Sequence, residues 1–169
     1  MSPHSLLKAA TRDAHERIDA AFAAFDLGDE AQYRCFLERH AAAFLPAEDA
    51  LSHTGAGQLV PGWEEARRST ALTADLADFG LAVPAPLAPP DYGSGARVLG
   101  GVYVLEGSRL GGAVLRKAVG PGLPRRFLDS IHGSGRWRAL VDLLNARLSE
   151  PGALNDATEA ALDTFALFE

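Results

Sequence analysis

The sequence predicts an all-α fold, a single bundle of six or seven helices. Three observations carry this expectation. Alanine and leucine dominate the 169 residues and β-branched residues are few, a balance that favours helix. Apolar residues recur at three- and four-residue intervals in several long segments, the period of one helix face. No segment sustains the apolar–polar alternation of a half-buried strand. "RVLGGVYVL" (97–105) is rich in β-formers, but its continuation in "EGSRLGGAVLRKA" makes it too long for a strand.

Breakers place the elements in order. Ser2-Pro3 supplies an N-cap and a first-turn proline, so the first helix runs to about Phe25, where "DLGD" ends it. The second runs from about Glu30 to Ser52 and is kinked at Pro46. "TGAGQLVPG" reads as loop. "WEEARRSTALTADLADFG" is a third helix, stopped by Gly80 just past its end. "LAVPAPLAPPDYGSGA" is a proline-rich connection, extended and packed over the surface. A glycine-bearing helix spans about Arg97 to Val119, and "GPGLP" ends it. A short helix covers 124–131. "GSG" precedes a helix over "RWRALVDLLNARL", and "SEPG" precedes the last, "ALNDATEAALDTFALF". There is no internal repeat and no domain linker, so residues 1–169 form one domain.

Composition excludes several classes. With 47% hydrophobic and 22% charged residues, the chain is globular and not disordered. It is long enough to bury a core without staples. Cys35 is the single cysteine, which removes any internal disulfide and any cysteine-only metal site. The N-terminus lacks a basic segment followed by an apolar run, so it is no secretory signal. No stretch approaches 18 uninterrupted apolar residues, so no membrane span is expected. These features predict a cytoplasmic protein. The net charge of −6 argues against non-specific nucleic-acid binding.

Two segments carry chemistry. Leu7, Thr11, His15, Ile18 and Phe22 fall on one helical face, which points His15 towards the core. Asp19, one turn on, can accept a hydrogen bond from one ring nitrogen and leave the other free for a metal. Lys8, two turns before His15, places a cation near the same side. A lone histidine cannot make a structural zinc site, but it can hold a haem iron, whose porphyrin supplies four nitrogens. Taken alone, a core histidine satisfied by neighbours explains His15 as well. The second segment, "GGVYVLEGSRLGGAVLRK" (100–117), holds five glycines, each costing about 1 kcal/mol of helix stability against alanine. A flat ring needs a helix backbone close to its second face, and Gly107, Gly111 and Gly112 remove side chains there. Close packing of one helix on another explains the glycines equally when they are taken alone.

Together, "LKAATRDAHERID" (7–19) and "YVLEGSRLGGAVLRK" (103–117) resemble the haem oxygenases, especially the bacterial biliverdin-producing branch. "YRCFLERHAAAFLPAE" (33–48) and "RRSTALTADLADFG" (67–80) resemble that family's second and third helices. The resemblance implies a haem-oxygenase-like bundle, with haem between the first helix and a kinked, glycine-rich distal helix. It implies cleavage of haem, with O2 and electrons, to biliverdin, CO and ferrous iron. By the same resemblance His15 is the iron ligand and Asp19 its partner, at a position often held by glutamate. Lys8 meets a haem propionate, Tyr103 lies near the propionate edge, and Thr11 shares the cofactor-facing set. Gly107, Ser108, Gly111 and Gly112 match the catalytic distal helix. Many members carry aspartate where this chain has Ser108; serine also occurs in the bacterial branch. The chain has no nucleotide-binding turn, so a ferredoxin or a reductase must supply electrons. A bacteriophytochrome is a candidate recipient of biliverdin. Two alternatives stand beside this one. A haem carrier or sensor without turnover is left open by Ser108. A di-iron oxidase needs several carboxylates and histidines on facing helices, which this sequence does not assemble.

Other residues receive plainer readings. His4, His40, His53 and His132 are scattered and are given no direct role. Cys35 is expected to be a small buried hydrophobe. Arg116 and Lys117 offset the helix dipole. Arg136 and Arg138 open a helix against dipole preference, which suggests an electrostatic task towards a propionate or a redox partner. Trp63, Trp137, Phe165 and Phe168 are expected in the core.

Overall fold

The computed structural model describes residues 1–131 and 134–169, with Ser134 described by its backbone alone; His132 lies outside the described residues. Ten helices and no strand are found among them: α1 (Pro3–Ala10), α2 (Arg12–Ala23), α3 (Glu30–His53), α4 (Ala56–Leu59), α5 (Trp63–Ala66), α6 (Ser69–Asp78), α7 (Gly95–Leu115), α8 (Arg126–Asp129), α9 (Ser134–Arg147) and α10 (Pro151–Ala166). Seven of these have eight residues or more; α4, α5 and α8 are single turns, α8 being the short helix expected within 124–131.

Local chemistry explains most boundaries. Ser2 caps α1 by accepting from the Ser5 N–H, with Pro3 in the first turn. The expected single first helix is divided at Thr11, whose backbone (φ −100°, ψ 3°) leaves the helical region. Its hydroxyl donates to the Leu7 carbonyl at 2.9 Å, a side-chain bond that competes with the helix ladder and bends it. Asp29 caps α3 by accepting from the Gln32 N–H. Pro46 lies inside α3 and has no N–H to give the Ala42 carbonyl. The Leu87 N–H donates to that carbonyl instead, at 2.8 Å. The proline that interrupts the ladder thus anchors the proline-rich connection.

The expected third helix is also divided, into α5 and α6. The cause is a carboxylate from another helix. Glu48 of α3 is buried, and it accepts from the backbone N–H groups of Arg68 (2.8 Å) and Ser69 (2.9 Å) and from the Ser69 hydroxyl. Those N–H groups start α6, so Glu48 serves it as a cap. The Gly80 expectation holds: its φ is +68° just beyond α6.

α7 is the central helix, and α10 packs along it. By length and composition α7 could cross a membrane, but 56% of its most apolar window is buried inside the protein. The core joins Leu37, Phe44 and Leu51 of α3, Leu72 and Leu76 of α6, Val98, Val102 and Leu105 of α7, and Ala157, Ala160 and Ala161 of α10. The three alanines let α10 approach closely. Trp63 and Phe165 are buried, while Trp137 and Phe168 pack against the core from its margin. Cys35 is exposed, not buried: its neighbours Phe36 and Leu37 take the inward positions, and one residue turns a helix by about 100°.

Candidate active site

The buried stripe of α1 and α2 runs through Leu7, Thr11, Ala14 and Ile18. His15 does not point into the core; its side chain is 62% exposed. Both i+3 and i+4 from Thr11 lie near one face, and the small Ala14 takes the inward place where α2 meets α10. His15 stands on the rim, edge-on to Phe165 with ring centroids 6.0 Å apart. Its Nδ1 is 3.3 Å from an Asp19 carboxylate oxygen. Nε2 is left facing outwards with no hydrogen bond among the described residues.

On α7 the five glycines divide into two sets. A Cβ on Gly100 would strike the Ala157 main chain, with the carbonyl carbon at 2.9 Å, and one on Gly101 would strike Tyr92 and Leu51. Helix packing accounts for both. At Gly107 and Gly112 a Cβ would make ordinary contacts, at 3.6 Å, with Trp137 and Leu128. At Gly111 it would meet nothing within 4 Å. Leu110 and Val114 on the same stretch are 56% and 68% exposed. Helix packing does not account for this second set.

Ser108 follows Gly107 and lies three residues before Gly111. Its hydroxyl donates to the Leu105 carbonyl (2.6 Å) and accepts from Arg68 Nη2 (2.7 Å). Arg68 is buried and also donates to the Leu105 carbonyl. Its guanidinium lies over the rings of Phe44 (4.7 Å) and Phe127 (4.9 Å). Burial and the nearby Arg109 pull its pKa down to about 9, against Glu106 and Glu48, so it is still charged at neutral pH. Arg68 Nε is buried without a partner.

His40 is the second polar group here. It is buried, and neither ring nitrogen has a partner. Phe22, Phe36, Phe44, Phe127 and Phe168 surround it with centroids at 5.0–5.8 Å. Burial, with a further push from Arg68, lowers its pKa to about 3. Sequence reasoning set His40 aside and did not single out Arg68. The signal for His40 was its place between Phe36 and Phe44 at i±4, the same stripe logic applied to His15. Arg68 carried no local signal, because its partners come from α3 and α7.

A buried ion cluster supports this end of α7. Glu106 accepts from Arg109 (both bonds 3.0 Å) and from Arg136 Nε (2.9 Å). Burial alone would raise the Glu106 carboxyl, but the two arginines hold it below its usual value. Arg109 also reaches the Ala66 and Ser130 carbonyls. Arg136 therefore has an electrostatic task, but an internal one; Arg138 is exposed.

Near the first turns of the chain, Thr11 and Tyr103 are brought together. Burial raises the Tyr103 phenol, and the neighbouring Thr11 side chain opposes that. Tyr103, Trp137 and His4 pack mutually at 6.0–6.1 Å. Lys8 is exposed and has no ion-pair partner among the described residues. α10 packs against both α2 and α7, so one helix sets the positions of His15 and of the glycine stretch. Among the described residues no group of three or more His, Cys, Asp or Glu is placed to hold a metal. A metal at His15 would have to arrive with other ligands of its own.

No family model matches the chain. It is 34% identical to a haem oxygenase of Xanthomonas campestris pv. campestris (strain 8004) over 146 residues, covering 83% of this chain and 88% of that relative. Its fold matches the crystal structure of the NO- and CO-bound haem oxygenase of Neisseria meningitidis with a TM-score of 0.83 and 27% identity. That match covers 99% of this chain and 88% of the other.

Proposed function

The chain belongs to the haem oxygenase family, enzymes that degrade haem, and from that premise we propose that His15 holds the iron and that haem is cleaved to biliverdin, CO and ferrous iron. The observation that carries this reading is the bare face at Gly111, which packing leaves unexplained. The residues fit the group. Asp19 holds Nδ1, so Nε2 is the free ligand, and it faces outwards where a ring can reach it. A site with one histidine suits a metal whose ring brings four nitrogens. Haem supplies both the iron that binds O2 and the carbon framework that is cut.

The protein's own contribution is orientation and polarity. Asp19 fixes the tautomer of His15 and raises the basicity of the ligand nitrogen. The hydroxyl proton of Ser108 is committed to the Leu105 carbonyl, and one lone pair is taken by Arg68. The other lone pair can orient a water by accepting from it. Arg68 brings a fixed positive charge behind Ser108, which favours negative charge on the distal side. Lys8 is exposed near the Thr11–Tyr103 pair and would meet a propionate. Electrons come from a ferredoxin or reductase in the cytoplasm, and a bacteriophytochrome is a fitting recipient of the product.

Two measurements test this reading. His15→Ala should abolish the histidine-ligated absorption spectrum while the haem-free protein keeps its helical circular dichroism. An unchanged ligation spectrum in the mutant would sink the assignment. Haem, O2 and a reductant added to the wild type should give the biliverdin spectrum; binding without turnover would instead identify a haem carrier.

A further inference from the structure

We propose that Phe168 and Glu169, in the turn after α10, form a latch that shuts His40 away from the haem pocket while haem is absent. The inference rests on haem lying beside His15, and it gives the turn after α10 a role towards His40. Native interiors leave few polar atoms without partners. His40 has two such atoms, caged among five phenylalanine rings, two of which also carry the Arg68 guanidinium. A histidine kept there for packing alone would be better replaced by another apolar side chain.

The cage has one wall that can move cheaply. Phe22, Phe36, Phe44 and Phe127 stand on α2, α3 and α8. Phe168 lies 5.1 Å from His40 but beyond the end of α10, and it is only partly buried. It can swing away without any helix unwinding.

Glu169 ties that wall in place. Its carboxylate accepts from Arg17 at 2.8 and 2.9 Å. Its main-chain oxygen accepts from Arg39 at 3.3 Å. Arg17 stands two residues from His15, and Arg39 immediately before His40. The Arg17–Glu169 pair is exposed, with side chains 58% and 36% accessible, so it is weak and reversible. One helical turn before the latch, Phe165 sits edge-on to His15. The same segment therefore touches the iron ligand and covers His40. When haem is drawn to His15, α2 shifts against Phe165 and draws Arg17 away from Glu169, Phe168 swings out, and His40 gains a water or a haem edge as its partner.

Two variants test the latch in the haem-free protein, read by deuterium exchange at His40 Cε1. Phe168→Ala should speed that exchange at least tenfold. Arg17→Glu breaks the tie without touching the cage and should speed it roughly two- to fivefold, the worth of an exposed ion pair. Stopped-flow haem association should accelerate in the same order. Unchanged exchange in both variants, or in Arg17→Glu alone should Phe168→Ala not fold, overturns the latch. Faster exchange with unchanged haem association also overturns it, because the turn then gates nothing. Neither outcome touches the His15 reading, which stands or falls on its own ligation spectrum.

Discussion

Gly100 and Gly111 both lie in α7, about three turns apart, and they live in opposite surroundings. A methyl group at Gly100 would enter the main chain of α10; at Gly111 it would enter open space. The first half of α7 is glycine-rich because another backbone must pass close by. In the second half a methyl group would make only ordinary contacts at Gly107 and Gly112, with Trp137 and Leu128 at 3.6 Å, and none at Gly111. Residue type is thus the same, and the cost to the helix is the same, about 1 kcal/mol each. Only the first cost is offset within the protein itself. At Gly111 no atom of the described residues lies close enough to offset the second.

The largest expected effect breaks the packed half. In Gly100→Ala the new Cβ meets the Ala157 carbonyl group, with the carbonyl carbon at 2.9 Å and the Cα at 3.0 Å. Backbone cannot rotate away, so α7 and α10 must separate. Urea denaturation should show a loss of about 3 kcal/mol, the upper part of the overpacking range. Gly101→Ala should cost less, because its neighbours are the side chains of Tyr92 and Leu51, which can shift. A neutral Gly100→Ala would erase the contrast between the two halves.

The two halves also differ in how their buried polar groups are satisfied. Beside the packed half, the Tyr92 hydroxyl shares a hydrogen bond with Thr164 at 2.9 Å. Its pKa is pushed up to about 12 by burial, so it stays neutral through the acid range. Beside the open half, His40 has no partner and a pKa of about 3 in the fold, against about 6.5 unfolded. Below pH 6.5 the unfolded chain takes up a proton that the folded chain refuses. Stability should therefore fall as pH drops from 6.5 towards 3, by about 1.4 kcal/mol per unit. Denaturation at pH 7 and pH 5 should differ by about 2 kcal/mol from this group. In His40→Phe that part of the difference should vanish. An unchanged slope would mean that His40 is reached by water in the folded chain.

A smaller effect sharpens the view of the open half. Ser108→Ala removes one acceptor from Arg68, which keeps the Leu105 carbonyl. Stability should drop by about 1 kcal/mol, readable in a thermal melt. Biliverdin formation should suffer more than stability does, since the lone pair that orients water is lost. A melt change without any change in turnover would make Ser108 a support for Arg68 only.

How much of this was legible in the sequence depends on how local each cause is. Most of the longer helices follow from caps, breakers and apolar period, all of which act within a few residues; the break between α1 and α2 at Thr11 does not. The split at Arg67 and Arg68 was not legible, because Glu48, twenty residues earlier, imposes it. The His15–Asp19 pair was legible at i+4 and is present at 3.3 Å. The inward direction given to His15 was wrong, because Ala14 satisfies the same stripe and is smaller. Arg68 was invisible for the reason that split α5 from α6: its contacts join α3, α6 and α7 and leave no mark in any one of them. The glycines were visible as a puzzle, and only their neighbours could divide them.

The smallest expected change in stability is the most telling. Gly111→Ala adds a methyl where nothing lies within 4 Å. Alanine is the better helix former by about 1 kcal/mol, so the haem-free protein should melt at the same temperature or slightly higher. A packing glycine would behave in the opposite way, losing roughly 1–3 kcal/mol and leaving haem chemistry intact. If the bare face is kept for haem, the methyl should crowd the distal side and lower O2 binding or biliverdin yield. Melting of the haem-free protein and a single-turnover assay, run on the same mutant, separate these outcomes. Undiminished stability with impaired turnover assigns the second half of α7 to the substrate. Lost stability with normal yield would return Gly111 to the class of Gly100, and the two halves of the helix would no longer differ.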